Sequence, residues 1–314
     1  MIDFRYHVVS IVAVFLALAL GLFIGSTTLR GKVGANISKR TENVTHENNK
    51  LRGELSDARS LLSRDEAFDN ALTPYAVAGQ LSGQSVVLVS APGVDDGLRK
   101  RVTAALTLAG ATLNGDIRLQ DGLLDPQQDE FLKTLTDRVA APGRPLPNGT
   151  GAQRALALLA DVLGARPSDQ PVSTAAAGRI LSAYGDGKLL SVAGDSPHPA
   201  SLGVLIAAPA PPSDDPDAAA QVALLGEFAH DLDRTAVGAV ITGPAAADEA
   251  GGLLDLVRSN SSLRGDVSTV DSADLPSGVI ATVMALAEQA MGRSGSYGSG
   301  SGADAPLPSP SPSP

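Results

Sequence analysis

The chain has 314 residues, 43% of them hydrophobic and 18% charged, enough apolar material for a sizeable core in one large domain or two ordinary ones. Aromatic residues make up 3% and tryptophan is absent, which argues against a membrane β-barrel with its aromatic girdles. Lys and Arg number 24 against 34 Asp and Glu, a formal charge of −10 with no basic stripe to offset it, so nucleic acid is not an expected partner; the lack of cysteine excludes disulfides, zinc–thiolate fingers, iron–sulfur clusters and thiol catalysis.

Between His7 and Arg30 runs an uncharged segment, Val8 to Leu29, about 22 residues long, which matches the hydrocarbon core of a bilayer. A cleavable signal peptide would have a shorter apolar region followed closely by a small-residue cleavage site. The nearest such site, Val33-Gly34-Ala35, lies beyond Arg30 and Lys32. Residues 1–30 are therefore expected to form a retained signal-anchor helix in the lipid bilayer. Ala13, Ala17, Gly21 and Gly25 recur every fourth position, placing small residues on one helix face where two helices could approach, although Ala and Gly are common throughout the chain. Arg5 and the amino group flank one end of the segment; Arg30, Lys32, Lys39 and Arg40 flank the other. By charge alone the larger part would stay in the cytoplasm.

Residues 31–68 read as a coiled-coil stalk. With Ile37, Val44, Leu51 and Ala58 at d, the a positions are Thr41, Asn48, Leu55 and Leu62. Glu47 and Glu54 then fall at g, Arg52 and Arg59 at e, so that each Glu meets an Arg of a parallel partner, and Asn48 at a is a device that specifies two strands. A parallel homodimer is expected through Ile37, Val44, Asn48, Leu51, Leu55 and Leu62. The competing reading, one amphipathic helix packed on its own domain, requires a wider apolar stripe and no matched charges.

After Pro74 the pattern changes to a domain expected over 75–292. Apolar β-rich runs at 85–89, 188–192, 203–207, 237–241 and 267–270 alternate with helical stretches near 97–108, 155–164, 173–184, 217–232 and 276–291. That alternation predicts an α/β fold around a mostly parallel sheet buried on both faces. Three of the runs lead into a small pair and proline, Ser90-Ala91-Pro92, Ala207-Ala208-Pro209 and Thr242-Gly243-Pro244, each followed by an acidic pair: Asp95-Asp96, Asp214-Asp215 and Asp248-Glu249. Loops at the carboxyl ends of such strands can bind ligands, but the expectation here is that the carboxylates cap helices. The Gly/Ser-rich and Ser-Pro-repeat tail, 293–314, has nothing with which to build a core and is expected to be disordered.

No glycine-rich phosphate cradle or nucleophilic triad is recognisable, so no enzyme activity and no required cofactor are expected. His7 sits at the membrane boundary and His46 on the stalk. His198, in an expected exposed turn, and His230, near a helix end, are weak metal candidates, and Met284 and Met291 are expected core residues.

The N-terminus, MIDFRYHVVS continuing into AVFLALALGLFIGS, resembles the MctB-type copper transport proteins of mycobacteria and other actinobacteria. So do SVVLVSAPGVDDG (85–97), VSTVDSADLPSGVIATVMAL (267–286) and YGSG (297–300), which together span essentially the whole chain. The resemblance implies a single-pass protein of the cell envelope, its soluble domain outside the cytoplasmic membrane, linked to copper efflux and homeostasis. It equally implies a kinship with coiled-coil proteins of cell separation, and hence the alternative of a dimeric scaffold for an envelope or cell-division partner. Copper enters by resemblance alone: Cu(I) favours Cys and Met, Cu(II) favours His, and no ligand motif can be carried onto this sequence.

Overall fold

A computed structural model describes residues 4–140, 146–166, 172–212 and 215–309, with the side chains of 4–5 and 27–42 outside the description. It divides into two compact units, residues 1–65 and 66–314.

The first unit consists of helix α1, which runs Phe4–Val77 and ends in the second unit. Its segment Tyr6–Ser26 is long and apolar enough to cross a membrane. Val9, Phe15, Leu22 and Phe23 are all about two-thirds exposed, as in a helix whose whole circumference is apolar and meets no protein. The Ser26 hydroxyl donates to the Phe23 carbonyl at 3.1 Å, so this polar group is satisfied within the helix. Farther along, Val44, Leu51, Leu55 and Leu62 are each at least half exposed, Asn48 is exposed, and Lys50 pairs with Glu54 at 3.7 Å. The side chain of Ile37 lies outside the described residues.

In the second unit α1 continues through Pro74 to Val77 rather than stopping at the proline. Pro74 has no N–H for the turn before it. The Thr73 hydroxyl donates to the Asp69 carbonyl at 2.8 Å and adds a bond at the weakened turn. Val77 and Leu81 are fully buried, and the Leu81 N–H donates to the Ala109 carbonyl, so that core burial anchors the end of the helix.

Strand β1 (Ser85–Ser90), helix α2 (Asp96–Leu108) and strand β2 (Thr112–Leu119) follow. After them come α3 (Asp129–Val139), α4 (Gly151–Leu163), α5 (Thr174–Asp186), and strands β3 (Leu190–Val192) and β4 (Leu202–Ile206). The chain closes with α6 (Ala218–Thr235), β5 (Gly238–Thr242), α7 (Leu253–Ser259), α8 (Ser261–Arg264), β6 (Ser268–Val270), α9 (Pro276–Gln289) and β7 (Ser296–Tyr297). The seven strands lie in the order β3-β2-β1-β4-β5-β6-β7; every pair is parallel except β2 with β3. The chain thus builds outward from β1 to one side, returns to β4 and builds outward to the other. The direction changes between β1 and β4.

Alternate residues of the central strands face two cores. Val86 and Leu88 of β1, with Leu202, Val204 and Ile206 of β4, pack with α2 and α9. Val87, Val89, Leu205 and Ile241 pack on the other face with α4, α5 and α6. The expected α/β class, mostly parallel sheet and burial of the central strands on both faces are what the structure has.

The expectation of disorder throughout 293–314 is overturned for residues 293–309; residues 310–314 lie outside the described residues. Ser296–Tyr297 is strand β7, paired with β6, and the loop beyond it folds over a buried charge cluster. Arg258 donates to Asp248 at 2.8 Å and Asp271 at 2.9 Å through Nη1, to Thr269 Oγ1 at 3.0 Å through Nε, and to the Tyr297 carbonyl at 2.7 Å through Nη2. The Asp271 carboxylate also accepts from the N–H groups of Ser299 and Gly300, at 2.8 and 3.0 Å, and from the Ser272 hydroxyl at 2.7 Å. Burial pushes the Asp271 carboxyl up, but these hydrogen bonds and Arg258 together hold it below its ordinary value. The tail's glycines are what let it in: a Cβ at Gly298 or Gly300 would strike the Asp271 and Asp248 carboxylates. Composition alone misses this because the segment is ordered by hydrogen bonds to a buried ion pair, not by a core of its own. Arg258→Ala should cost about 3–5 kcal/mol by leaving two buried carboxylates without their cation. Thermal unfolding of the full chain in neutral detergent should also show lowered stability for a chain ending at Arg293; an unchanged melting temperature there would restore the disordered tail.

Candidate functional site

The carboxyl ends of the parallel strands carry the polar chemistry. Each small-residue and proline run follows directly on its strand end, β1 at Ser90, β4 at Ile206 and β5 at Thr242. Asp95 caps α2, its carboxylate accepting from the Leu98 N–H at 2.9 Å, as expected. Asp215 accepts from the Asp217 N–H at 3.0 Å, whereas Asp214 lies outside the described residues. Asp248 departs from the capping expectation: it closes a 3₁₀ turn and pairs with Arg258. Burial raises its pKa, and Arg258 only partly opposes this.

Beside the β1 end is a cleft of about 190 Å³ whose lining includes Ser90, Gly93, Asp96, Arg99, Arg118 and Gln120. Arg99 is buried and donates through Nη1 to the buried Asp116 on β2. Arg118, also on β2, pairs with Asp96 at 2.9 Å, and the same Asp96 oxygen lies 3.7 Å from Arg99 Nε. Ser90 Oγ, Arg99 Nε and Arg118 Nε are buried and have no hydrogen-bond partner. No motif betrays this group in the sequence, since Asp116 and Arg118 lie in a segment, Thr112–Leu119, that is not among the expected strands and is strand β2. A larger groove of about 510 Å³, lined among others by Leu124, Pro126, Ala152 and Leu224, is mostly apolar. Its Gln153 and Glu227 are bonded to each other at 2.9 Å.

The histidines lie elsewhere. His198 is exposed, its N–H donating to the Asn114 carbonyl at 2.7 Å near the amino end of β2. His230 is half-buried on α6, with Nδ1 3.3 Å from an Asp266 oxygen but without hydrogen-bond geometry. Nearby Asp233 accepts from the Ala239 N–H at 2.9 Å, near the amino end of β5. Burial pushes Asp233 up to about 6; the Ala239 N–H and the charges of Arg166 and His230 oppose this, and Asp266 adds to it. Among the described residues, no group of three or more His, Asp or Glu side chains is placed to hold a metal ion, so neither histidine is part of such a set. His7 and His46 are both exposed on α1. Met284 is partly buried against the core, as expected. Met291 instead lies past the end of α9 and is 54% exposed. On α1, Ala13 is exposed, and Ala17, Gly21 and Gly25 form a shallow groove with Val14, Leu18, Leu22 and Ser26.

Residues 1–308, from the apolar helix through the clasped tail, match the model of a family described as "Copper transport outer membrane protein, MctB". The chain belongs to the MctB family. The copper transporter MctB of Mycobacterium tuberculosis (strain ATCC 25618 / H37Rv) is 26% identical over 313 residues, covering 95% of this chain and 96% of that protein. The copper transporter MctB of Mycobacterium leprae (strain TN) is 25% identical over 315 residues, with the same coverage. The family match runs through residues 296–305, where β7 and its loop are built.

The Asp233 carboxyl gives this unit a defined pH response. Its folded pKa, about 6, is above the ordinary 3.8, so the native state holds the proton more tightly. Asp233 therefore costs stability as pH rises through the window from about 4 to about 6, and the cost is complete above it. The Asp233→Asn chain should gain on the native chain between pH 5 and pH 7 in denaturant midpoints; a difference that is flat with pH would refute the assignment.

Proposed function

We propose that this chain is a membrane-anchored envelope protein of copper transport and copper homeostasis. The observation that carries the reading is the match of residues 1–308 to the copper-transport family, with an apolar helix over Tyr6–Ser26 to serve as the anchor. Residues 30–314 are placed outside the cytoplasmic membrane. The flanking charges lean the other way, but the N-terminal flank is short and itself carries Arg5 and the amino group, so their bias is weak. The chain has no catalytic role and no required cofactor in this reading. Copper is cargo, because a tight site would gather thiolates, thioethers or imidazoles, and the sequence offers no Cys, three Met and four His in separate contexts. A strain lacking the chain should accumulate copper and return to its normal content on complementation, with septation normal throughout.

A second reading, a dimeric scaffold that positions a cell-wall or cell-separation partner, is favoured by the exposed apolar stripe Val44, Leu51, Leu55 and Leu62 with Asn48 among them. In that reading complementation corrects chaining and leaves copper unchanged. Both readings include a parallel homodimer, with the small-residue face of Ala13, Ala17, Gly21 and Gly25 packing in the bilayer. Leu51→Asp should convert the dimer to monomer in sedimentation of the full chain in detergent. A monomeric native chain at tens of micromolar would remove the stalk from both.

A further inference from the structure

We infer that the cleft at the carboxyl ends of β1 and β2 binds a small oxyanion, a carboxylate or phosphate group held by Arg99, Arg118 and Ser90. The cleft lies at the carboxyl ends of two neighbouring parallel strands, on the β2 side of β1, while the sheet's winding reverses on the β4 side. The loop after β1 leans on β4 here, with the Ala91 N–H donating to the Ile206 carbonyl at 2.9 Å.

Three donors define the ligand. The Ser90 hydroxyl is on a residue only 2% exposed, and its oxygen meets no partner; Arg99 Nε and Arg118 Nε are likewise buried without an acceptor. Buried donors without acceptors are costly and rare in folded proteins, and all three belong to residues that line this cleft. One other nitrogen of each guanidinium is already held, Arg99 Nη1 by the buried Asp116 and Arg118 Nη2 by Asp96. Asp96 shows what the site accepts. One of its oxygens stands between the two arginines, 2.9 Å from Arg118 Nη2 and 3.7 Å from Arg99 Nε, on a side chain that is 61% exposed. It is an internal oxyanion at the rim, free to swing into solvent when an external one takes its place. Planar guanidinium pairs suit carboxylate and phosphate geometry. At about 190 Å³ the cleft is smaller than the roughly 300–1,000 Å³ of pockets for larger ligands, so it admits a phosphate or a short carboxylic acid but not a whole nucleotide. The site does not depend on the copper reading.

The test is isothermal titration of the full chain in neutral detergent with inorganic phosphate and, separately, with succinate, against chloride at equal ionic strength. Saturable binding of either anion is expected, and the anion preferred assigns phosphate or carboxylate chemistry. Asp96→Asn, which removes the internal competitor, should tighten binding severalfold; a merely structural ion pair would give no such gain. Arg118→Gln should weaken it tenfold or more, and Ser90→Ala, which changes no charge, severalfold. The inference fails if neither anion binds the native or the Asp96→Asn chain. It also fails if affinity is the same after both Arg118→Gln and Ser90→Ala.

Discussion

The arrangement of the α/β unit follows from burial of its central strands on both faces. β1, β4 and β5 present apolar side chains to two separate cores, and such strands require helices above and below. Once both faces are covered, polar and charged groups have only the strand ends, the sheet edges and the outer helix surfaces left to them. The arginine–aspartate clusters at the carboxyl ends and the histidines nearer the amino ends are where that constraint leaves room. The two histidines of this unit lie on different connections, His198 before β4 and His230 on α6, and Met284 packs against the core while Met291 is exposed.

The central strands were readable because continuous runs such as Val86-Val87-Leu88-Val89 have one physical interpretation, and the five expected helices ended within a few residues of their limits, whereas α3, α7 and α8 were not expected. β2 was not readable. Its Asn114-Gly115-Asp116 suggests a turn, and Asp116 is acceptable inside the sheet only because Arg99, on the preceding helix, meets it. β7 was harder still, since a two-residue strand has no periodicity and is held by Asp271 and Arg258 from earlier in the chain. The candidate cleft was not expected as a site. Its acidic pair stood out after the proline, and the capping role of Asp95 was the right one, but the pairing of Asp96 with two arginines required the fold. Pro74 misled in the opposite direction, because burial of Val77 and Leu81 outweighs one missing hydrogen bond.

The N-terminal unit follows a different rule. Its apolar stretch is long enough to cross a membrane, and a helix satisfies its own backbone hydrogen bonds there, as lipid requires. The stripe beyond it is narrower and broken by polar residues, which suits contact with another helix better than contact with lipid.

The placement of β7 has a consequence for how the molecule comes into being. β6 offers an unpaired hydrogen-bonding edge until β7 docks on it, and Arg258 lacks the Tyr297 carbonyl until then. A nascent chain leaves synthesis N-terminus first, so β6 is made before the segment that seals it. Until β7 docks, the open flank of β6 is available to any strand that reaches it, including the same strand of a neighbouring copy.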